Sequence, residues 1–349
     1  MSRYIGLDAH ATSCTLAVVG KSGRQLGSQV VETNGAALLE AIKAIPRPRY
    51  LCIEEGTQSA WLYEVLSPVV DELVVTQQNR KSTGNKSDKL DSFGLATGLC
   101  KGTLPRRIYK APQRYAELRA LAHTYNKIAW DVARTRNRLK SLYLSRGVHA
   151  TGKSVYGTAQ RDEWLSLLPT TYRSAAALLY AELDQMVEIK AAAREQLVKE
   201  SHRHDISHVL ETCPGLGEVR VAQVISTVIT PHRFRTARQY WSYCGFSIVM
   251  RSSSDWVQGS RGFERKAVLS TRGLSRQFNR VLKEVYKSAV ISVLKDATHP
   301  LTLHYERLLA AGTKPPNARL TIARKISALS LAMWKNEERY DPARQTTHR

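Results

Sequence analysis

Acidic residues in the first hundred positions stand where apolar runs end or a helix begins. They are Asp8, Glu54 or Glu55, Asp88 and Asp91. Two carboxylates at i and i+3 lie on the same face of a helix, so Asp88 and Asp91 can share a ligand. We expect carboxylates from three separate elements to converge at one end of a sheet.

Such a cluster could hold two divalent ions that clamp the attacking and leaving oxygens of a phosphodiester. Oxygen-only ligation favours Mg²⁺ or Mn²⁺ over zinc. Each acid also has a structural interpretation, since a strand-end Asp is commonly a cap and Asp88 could cap the helix that follows. The combination, in a strongly basic neighbourhood, favours the metal site.

The elements that would position these acids alternate between strand and helix. Apolar runs predict strands at 4–8, 15–19, 29–31, 50–53 and 72–75, and helical spacing predicts helices at 34–45 and 61–66. The order βββαβα is that of an RNase H-like α/β domain. Actin-like ATPases open with the same order, so the order alone does not decide function.

The rest of the chain reads as mostly helical. Long helices are expected at 112–144 and 172–200, with a loop at 147–160 between them; the pair suggests a helical hairpin or coiled-coil arm. Shorter helices are expected at 219–229, 234–243, 273–293 and 318–334, and an extended segment at 245–249.

Charge points to a polyanionic partner. Lys and Arg number 52 against 30 Asp and Glu, giving +22 in 349 residues, and such a field attracts nucleic acid. Sixteen of these cations, against four acids, fall within 76–150. A solvated helix face is the structural alternative, and the density favours a phosphate-binding surface.

Composition also bears on location. No segment approaches the roughly 18 apolar residues of a membrane span, and the opening residues lack a secretory pattern, so we expect a cytoplasmic protein. The five cysteines are scattered singly, which argues against a disulfide framework or a zinc module.

Three further motifs have both structural and functional interpretations. The turn 214–217, Pro-Gly-Leu-Gly, resembles a DNA-contacting hairpin and is also an ordinary tight turn. Ser252, Ser253 and Ser254 form a polar turn that could supply a nucleophile activated by metal and arginine. The histidines at 202, 204 and 208 match no common zinc spacing, and a solvated helix end is favoured.

Taken in order, these motifs resemble the DEDD transposases of insertion sequences, the group that includes the Piv/MooV invertases and the bridge-RNA-guided recombinases. The matching segments are Tyr-Ile-Gly-Leu-Asp at 4–8, Ile-Glu-Glu-Gly-Thr at 53–57, Lys-Ser-Asp-Lys-Leu-Asp at 86–91, Pro-Gly-Leu-Gly at 214–217, 234–245 and Arg-Ser-Ser at 251–253.

The resemblance implies a RuvC-like RNase H-fold catalytic domain over 1–111, a helical arm over 112–205 and a C-terminal transposase domain over 206–349. The implied DEDD metal ligands are Asp8, Glu54, Asp88 and Asp91, with Glu55 as the alternative to Glu54. The implied nucleophile is Ser253, with Ser252 next and Ser254 also open.

The resemblance further implies Mg²⁺ (or Mn²⁺) as cofactor and donor and target DNA as substrates. It also implies a structured noncoding guide RNA and a homodimer or homotetramer in a prokaryotic, nucleoid-associated setting. Serine attack on DNA would leave a phosphoserine and a 3′ hydroxyl for strand exchange. The alternatives are a RuvC-like hydrolytic junction nuclease, which needs no serine, and a non-catalytic nucleic-acid-binding protein whose acids are caps.

Overall fold

The chain forms two compact units, Met1–Gln113 and Arg114–Arg349. The computed structural model describes residues 1–77, 87–250, 256–259, 262–265 and 271–342. The first unit is a mixed α/β layer structure and the second is mostly helical, which confirms that part of the predicted fold class. Within the described ranges, no helix is both long and apolar enough to cross a membrane.

A five-stranded sheet organises the first unit. Its strands are β1 (Arg3–Ala9), β2 (Ser13–Gly20), β3 (Gln25–Glu32), β4 (Arg49–Glu54) and β5 (Glu72–Thr76). They lie in the order β3-β2-β1-β4-β5. The first three strands form an antiparallel meander, whereas β4 runs parallel to β1 and β5 runs parallel to β4. Parallel β1 and β4 therefore end at the same edge of the sheet.

Three helices cover the sheet: α1 (Gly35–Lys43), α2 (Ser59–Leu66) and α3 (Asp88–Lys101). Ile5 and Leu7 of β1 are fully buried in a core that includes Leu38 of α1 and Leu62 of α2. Side chains alternate across a strand, so Gly6 and Asp8 point to the opposite face, where α3 packs. The predicted hairpin, third strand and flanking helices are confirmed.

The second unit contains nine helices among its described residues. They are α4 (Ala116–Leu144), α5 (Arg161–Ser166), α6 (Thr170–Ser201), α7 (Ile206–Leu210), α8 (Glu218–Val228), α9 (Ala237–Tyr243), α10 (Arg280–Val293), α11 (Pro300–Ala310) and α12 (Pro315–Asn336). Its strands are β6 (Ile248–Met250), β7 (Trp256–Gly259), β8 (Gly262–Arg265) and β9 (Thr271–Leu274). Antiparallel pairs form between β6 and β9 and between β7 and β8.

The two predicted long helices are α4 and α6, and they pack against each other. Buried Val132 and Leu139 of α4 share a core with Leu183 of α6. The hydroxyls of Tyr143 and Tyr180 lie 3.0 Å apart inside that core, so each buried phenol has a hydrogen-bond partner. A coiled coil in the strict sense, and the division of this unit at residue 205, stay predictions.

The helix expected at 273–293 begins later than predicted. Residues 271–274 form β9, which pairs with β6, and α10 starts only at Arg280. The side chain of Asn279 accepts a hydrogen bond from the Leu282 backbone N–H at 3.0 Å, which is a strong helix start signal. The prediction for 273–279 is therefore wrong, because strand pairing and this cap outweigh the apolar spacing.

Candidate functional site

Two acids meet at the edge where β1 and β4 end. The parallel register pairs Leu7 with Ile53, so Asp8 and Glu54 follow on neighbouring strands. Both side chains line a cleft of about 480 Å³. The convergence predicted for these two strand ends is present in the structure.

The first turn of α3 supplies two more acids, Asp88 and Asp91. The cap of this helix is Ser87, whose hydroxyl accepts a hydrogen bond from the Leu90 N–H at 3.2 Å. Asp88 is thus one residue inside the helix rather than its cap, and the structural interpretation weighed for it is wrong.

A histidine joins the strand acid to the helix acid. The Nε2 atom of His10 lies 3.3 Å from Oδ2 of Asp8 and 3.3 Å from Oδ1 of Asp88. Nitrogen and oxygen ligand atoms of these three residues all lie within 4.8 Å of one another. The distance between the two carboxylates is therefore short enough for one cation to reach both.

The close approach of α3 depends on Gly6. A Cβ atom there would stand 2.6 Å from the backbone nitrogen of Ala96 and closer still to the carbonyl oxygen of Ser92. Real Cβ atoms do not come that near to backbone atoms, so any larger residue would push the helix away from β1. The missing side chain thus brings Asp88 and Asp91 toward Asp8.

Electrostatics at the cluster favour a bound cation. Burial is the main cause that raises the pKa of Asp8, and the neighbouring carboxylates of Asp88 and Asp91 raise it further, whereas His10 acts in the opposite direction. Like charges held this close repel one another unless a cation lies between them. The carboxylate oxygens fit a hard divalent ion such as Mg²⁺ or Mn²⁺.

The two adjacent glutamates have different surroundings. Glu55 Oε2 accepts a hydrogen bond from Lys110 Nζ at 2.6 Å, and the Lys110 side chain is only 7% exposed. The Ser59 hydroxyl also donates to the same oxygen at 3.2 Å. This ion pair already balances the charge of Glu55. Both glutamates line the cleft, and Glu54 is the last residue of β4.

Sequence reasoning missed His10. Its signal was the spacing Asp8-x-His10 at a strand end, because residues two apart on a strand point to the same side. That spacing is common, and only the position of α3 makes this histidine a neighbour of two acids.

The predicted nucleophile cannot be placed beside this cluster. Ser253, with Ser252 and Ser254, lies outside the described residues, between the end of β6 at Met250 and the start of β7 at Trp256. Its role stays a prediction.

The histidines at the end of α6 divide into two groups. His202 Nε2 lies 2.7 Å from Glu211 Oε1, and its ring stacks on His208 at 5.0 Å. His204 instead stacks on Tyr115 at 4.8 Å. The contact between His202 and Glu211 ties the end of α6 to the residue after α7, and the ligand atoms of His202, His208 and Glu211 all lie within 4.8 Å of one another.

Two family models match the sequence of this chain. A family model described as Transposase, of the DEDD IS110 type, matches residues 5–145, the range that contains all four predicted carboxylates. A second model, described as Transposase IS116/IS110/IS902 family, matches residues 207–289, the range that contains Ser252, Ser253 and Ser254. No curated protein matches the chain.

Proposed function

Since the chain belongs to the IS110 family of DEDD transposases, enzymes that cleave and transfer DNA strands, we propose that it recombines DNA by metal-assisted serine attack. The observation that carries the proposal is the convergence of Asp8 and Asp88 on one histidine nitrogen, with Asp91 close enough to perturb Asp8. A cation bound between these acids would offset the repulsion of their charges.

The metal ligands in this proposal are Asp8, Glu54, Asp88 and Asp91, and the family commonly uses divalent ions. Mg²⁺ or Mn²⁺ bound there supplies charge stabilisation to the oxygens of a scissile phosphate. His10 is a positioning residue, because its Nε2 holds the Asp8 and Asp88 carboxylates at a fixed spacing.

Ser253 is the proposed nucleophile. Its Oγ forms a bond to phosphorus, the bond from phosphorus to the 3′ oxygen breaks, and the hydroxyl proton passes to that oxygen. The products are a phosphoserine ester and a 3′ hydroxyl, and attack by another strand's 3′ hydroxyl restores the serine. The support is the match of Arg-Ser-Ser at 251–253 to the family's serine motif, counted from Gly245.

Assembly and partners follow from this scheme. The serine of one subunit would act with the carboxylates of another, which requires a dimer or tetramer. Donor and target DNA are the substrates, and a structured guide RNA would bind the basic stretch 76–150.

The order βββαβα supports an RNase H-like assignment for residues 1–111, with the arm at 112–205 and the serine-bearing domain at 206–349. We place the protein in the cytoplasm, with the nucleoid.

A hydrolytic junction nuclease is the second candidate, because the carboxylate cluster alone could direct water at a phosphodiester. Trapping a covalent protein–DNA adduct and mapping it by mass spectrometry separates the two mechanisms. Serine recombination predicts an adduct at Ser253 that the variant Ser253→Ala lacks, with Ser252→Ala and Ser254→Ala as matched controls. Full strand cleavage by Ser253→Ala, without any adduct, would support hydrolysis instead.

A further inference from the structure

The second unit contains a groove of about 1160 Å³ that the mechanism above does not use. Its walls come from four helices, α4, α6, α8 and α10. Because these helices belong to one compact unit, the groove is formed by that unit alone.

Aromatic side chains form one wall. Trp130 of α4 is 56% exposed, an unusual state for the largest apolar side chain, and Tyr125 on the same helix is half-buried. Lys190 lies above the Tyr125 ring, with its Nζ 6.0 Å from the ring centre. The exposed indole of Trp130 offers a face on which a flat ring can stack, and Lys190 over the neighbouring Tyr125 supplies a positive charge to the same groove.

Cations and backbone donors line another side. Arg220 is fixed by hydrogen bonds to the Gly215 carbonyl oxygen at 2.8 Å and to Ser292 Oγ at 3.0 Å. Both partners are neutral oxygens, so neither cancels its charge. Arg280 begins α10 at the groove and is exposed.

The N-terminus of α8 also opens into the groove. Among the described residues, no side chain caps its first turn, and the space where a Cβ on Gly217 would stand is open. The N–H groups of an uncapped first turn favour an anion. The partial positive charge at this helix terminus adds to the charge of the cations in the groove walls.

A pair of amides lies at the bottom of the groove. Gln223 Nε2 donates to Asn126 Oδ1 at 2.5 Å, and Asn126 is buried. One such bond uses a single donor of Gln223, so the pair retains an amide donor on Asn126 and a carbonyl acceptor on Gln223. Adjacent donor and acceptor groups match the edge of a nucleobase.

Charge decides which class of ligand fits. Four cations line the groove, Lys190, Arg194, Arg220 and Arg280. Two acids accompany them, Glu218 and Glu284, and Glu218 is already paired with Arg194 at 2.6 Å. The excess of positive charge beside an aromatic wall is the combination that binds unpaired nucleic acid.

We propose that this groove holds an unpaired stretch of nucleic acid, with a base stacked on Trp130 and its phosphates at Arg220, Arg280 and the start of α8. The inference rests on the proposed function only in that the enzyme must handle nucleic acid; it requires neither the carboxylates nor the serine. Single-stranded RNA and single-stranded DNA share this chemistry.

The test measures binding of fluorescein-labelled 12-nucleotide oligonucleotides of one sequence, made as RNA and as DNA, in EDTA so that no cleavage occurs. Loss of stacking in Trp130→Ala should weaken binding about five- to hundredfold, and Trp130→Phe should restore most of it. Arg280→Ala should weaken binding. It should also reduce the steepness of the plot of log affinity against log salt concentration by about 0.7, the value for one lost phosphate contact on a single strand. Lys199→Ala is the matched control, because it removes an exposed cation from α6 that lies outside the groove and outside the basic stretch 76–150.

A loss confined to the RNA probe would assign the groove to the guide, and a loss confined to DNA would assign it to the recombining strand; either supports the proposal. Wild-type binding that Trp130→Ala leaves unchanged on both probes overturns it while leaving the proposed function standing. A Trp130→Ala variant that changes oligomeric state but keeps its oligonucleotide affinity would also overturn the proposal, because it would show that Trp130 lies in a protein interface. Failure of the wild type to bind either probe would overturn the groove alone, because neither single-stranded probe is a duplex DNA substrate or a structured RNA.

Discussion

Replacing Gly6 by alanine tests how α3 brings its carboxylates to the sheet. The new Cβ would stand 2.6 Å from the Ala96 nitrogen, whereas comfortable contact needs about 3.5 Å. Clearing the Ala96 nitrogen alone takes about 1 Å, and the Ser92 carbonyl oxygen would stand closer still, so the helix must retreat by at least about 1 Å. Overpacking of this kind costs about 1 to 3 kcal/mol of unfolding free energy.

The retreat should damage activity more than stability. Asp88 and Asp91 move with α3, whereas Asp8 stays on β1, so the spacing set through His10 opens. A misplacement of about 1 Å at a reacting centre costs about a hundredfold in rate. We expect Gly6→Ala to remain folded and to cleave DNA about a hundredfold more slowly.

Gly94→Ala is the matched control for this variant. Gly94 lies in the same helix, and no atom stands within 4 Å of where its Cβ would be. Alanine there should raise the unfolding free energy by about 0.5 to 1 kcal/mol and leave the cleavage rate unchanged. Single-turnover cleavage with Mg²⁺, at a temperature below both unfolding transitions, makes the comparison. Wild-type activity in Gly6→Ala would refute the reasoning.

Three further predictions concern the two glutamates at the cleft, a buried arginine and an ion pair of the second unit. Glu54→Gln should reduce metal-dependent cleavage at least tenfold more than Glu55→Gln, because Glu55 is already paired with a buried lysine; equal losses would show that both act on metal. Arg49 is buried and donates hydrogen bonds to four backbone carbonyl oxygens. Arg49→Met leaves these acceptors without a donor, so it should lower the free energy of unfolding in urea by about 3 kcal/mol. A decrease of less than about 1 kcal/mol would contradict this. Hydrogen bonds from Arg161 lower the pKa of Asp184, so the pair stabilises the fold above about pH 4 and that contribution is lost as the pH falls through the lowered pKa. Asp184→Asn should therefore lower the free energy of unfolding by on the order of 1 kcal/mol at neutral pH, a figure that allows for the partial exposure of the pair. The difference from wild type should shrink in acid, and a difference that does not change with pH would rule out the ion pair.

The parts of the fold that sequence could predict are those with short-range signals. Asp8 and Glu54 were recognisable because each follows an apolar strand, and parallel strands bring their ends to one edge. The i, i+3 spacing of Asp88 and Asp91 predicts a shared helix face but by itself favours a structural role, and only its combination with the other acids in a basic neighbourhood favours a metal site. Local patterns therefore identified the acids without fixing the distances between them.

What sequence could not supply depends on contacts between distant residues. The partner of Glu55 is Lys110, which lies 55 positions later, so no local pattern could show that Glu55 is paired. The place of His10 depends on how closely α3 packs on β1, which Gly6 decides. The groove joins helices from α4 to α10, and no single segment carries its signal.

The central claim is that the clustered carboxylates support DNA cleavage, and one variant tests it most directly. Asp8→Asn keeps the shape of the side chain and removes its charge; Glu64→Gln, an exposed change on α2, is its control. The measurement is Mg²⁺-dependent cleavage of a supercoiled plasmid that carries the DNA flanking the gene, with DNA affinity measured in parallel. We predict at least a hundredfold loss of cleavage by Asp8→Asn with affinity within about threefold of wild type. Cleavage by Asp8→Asn at the rate of Glu64→Gln would contradict the account.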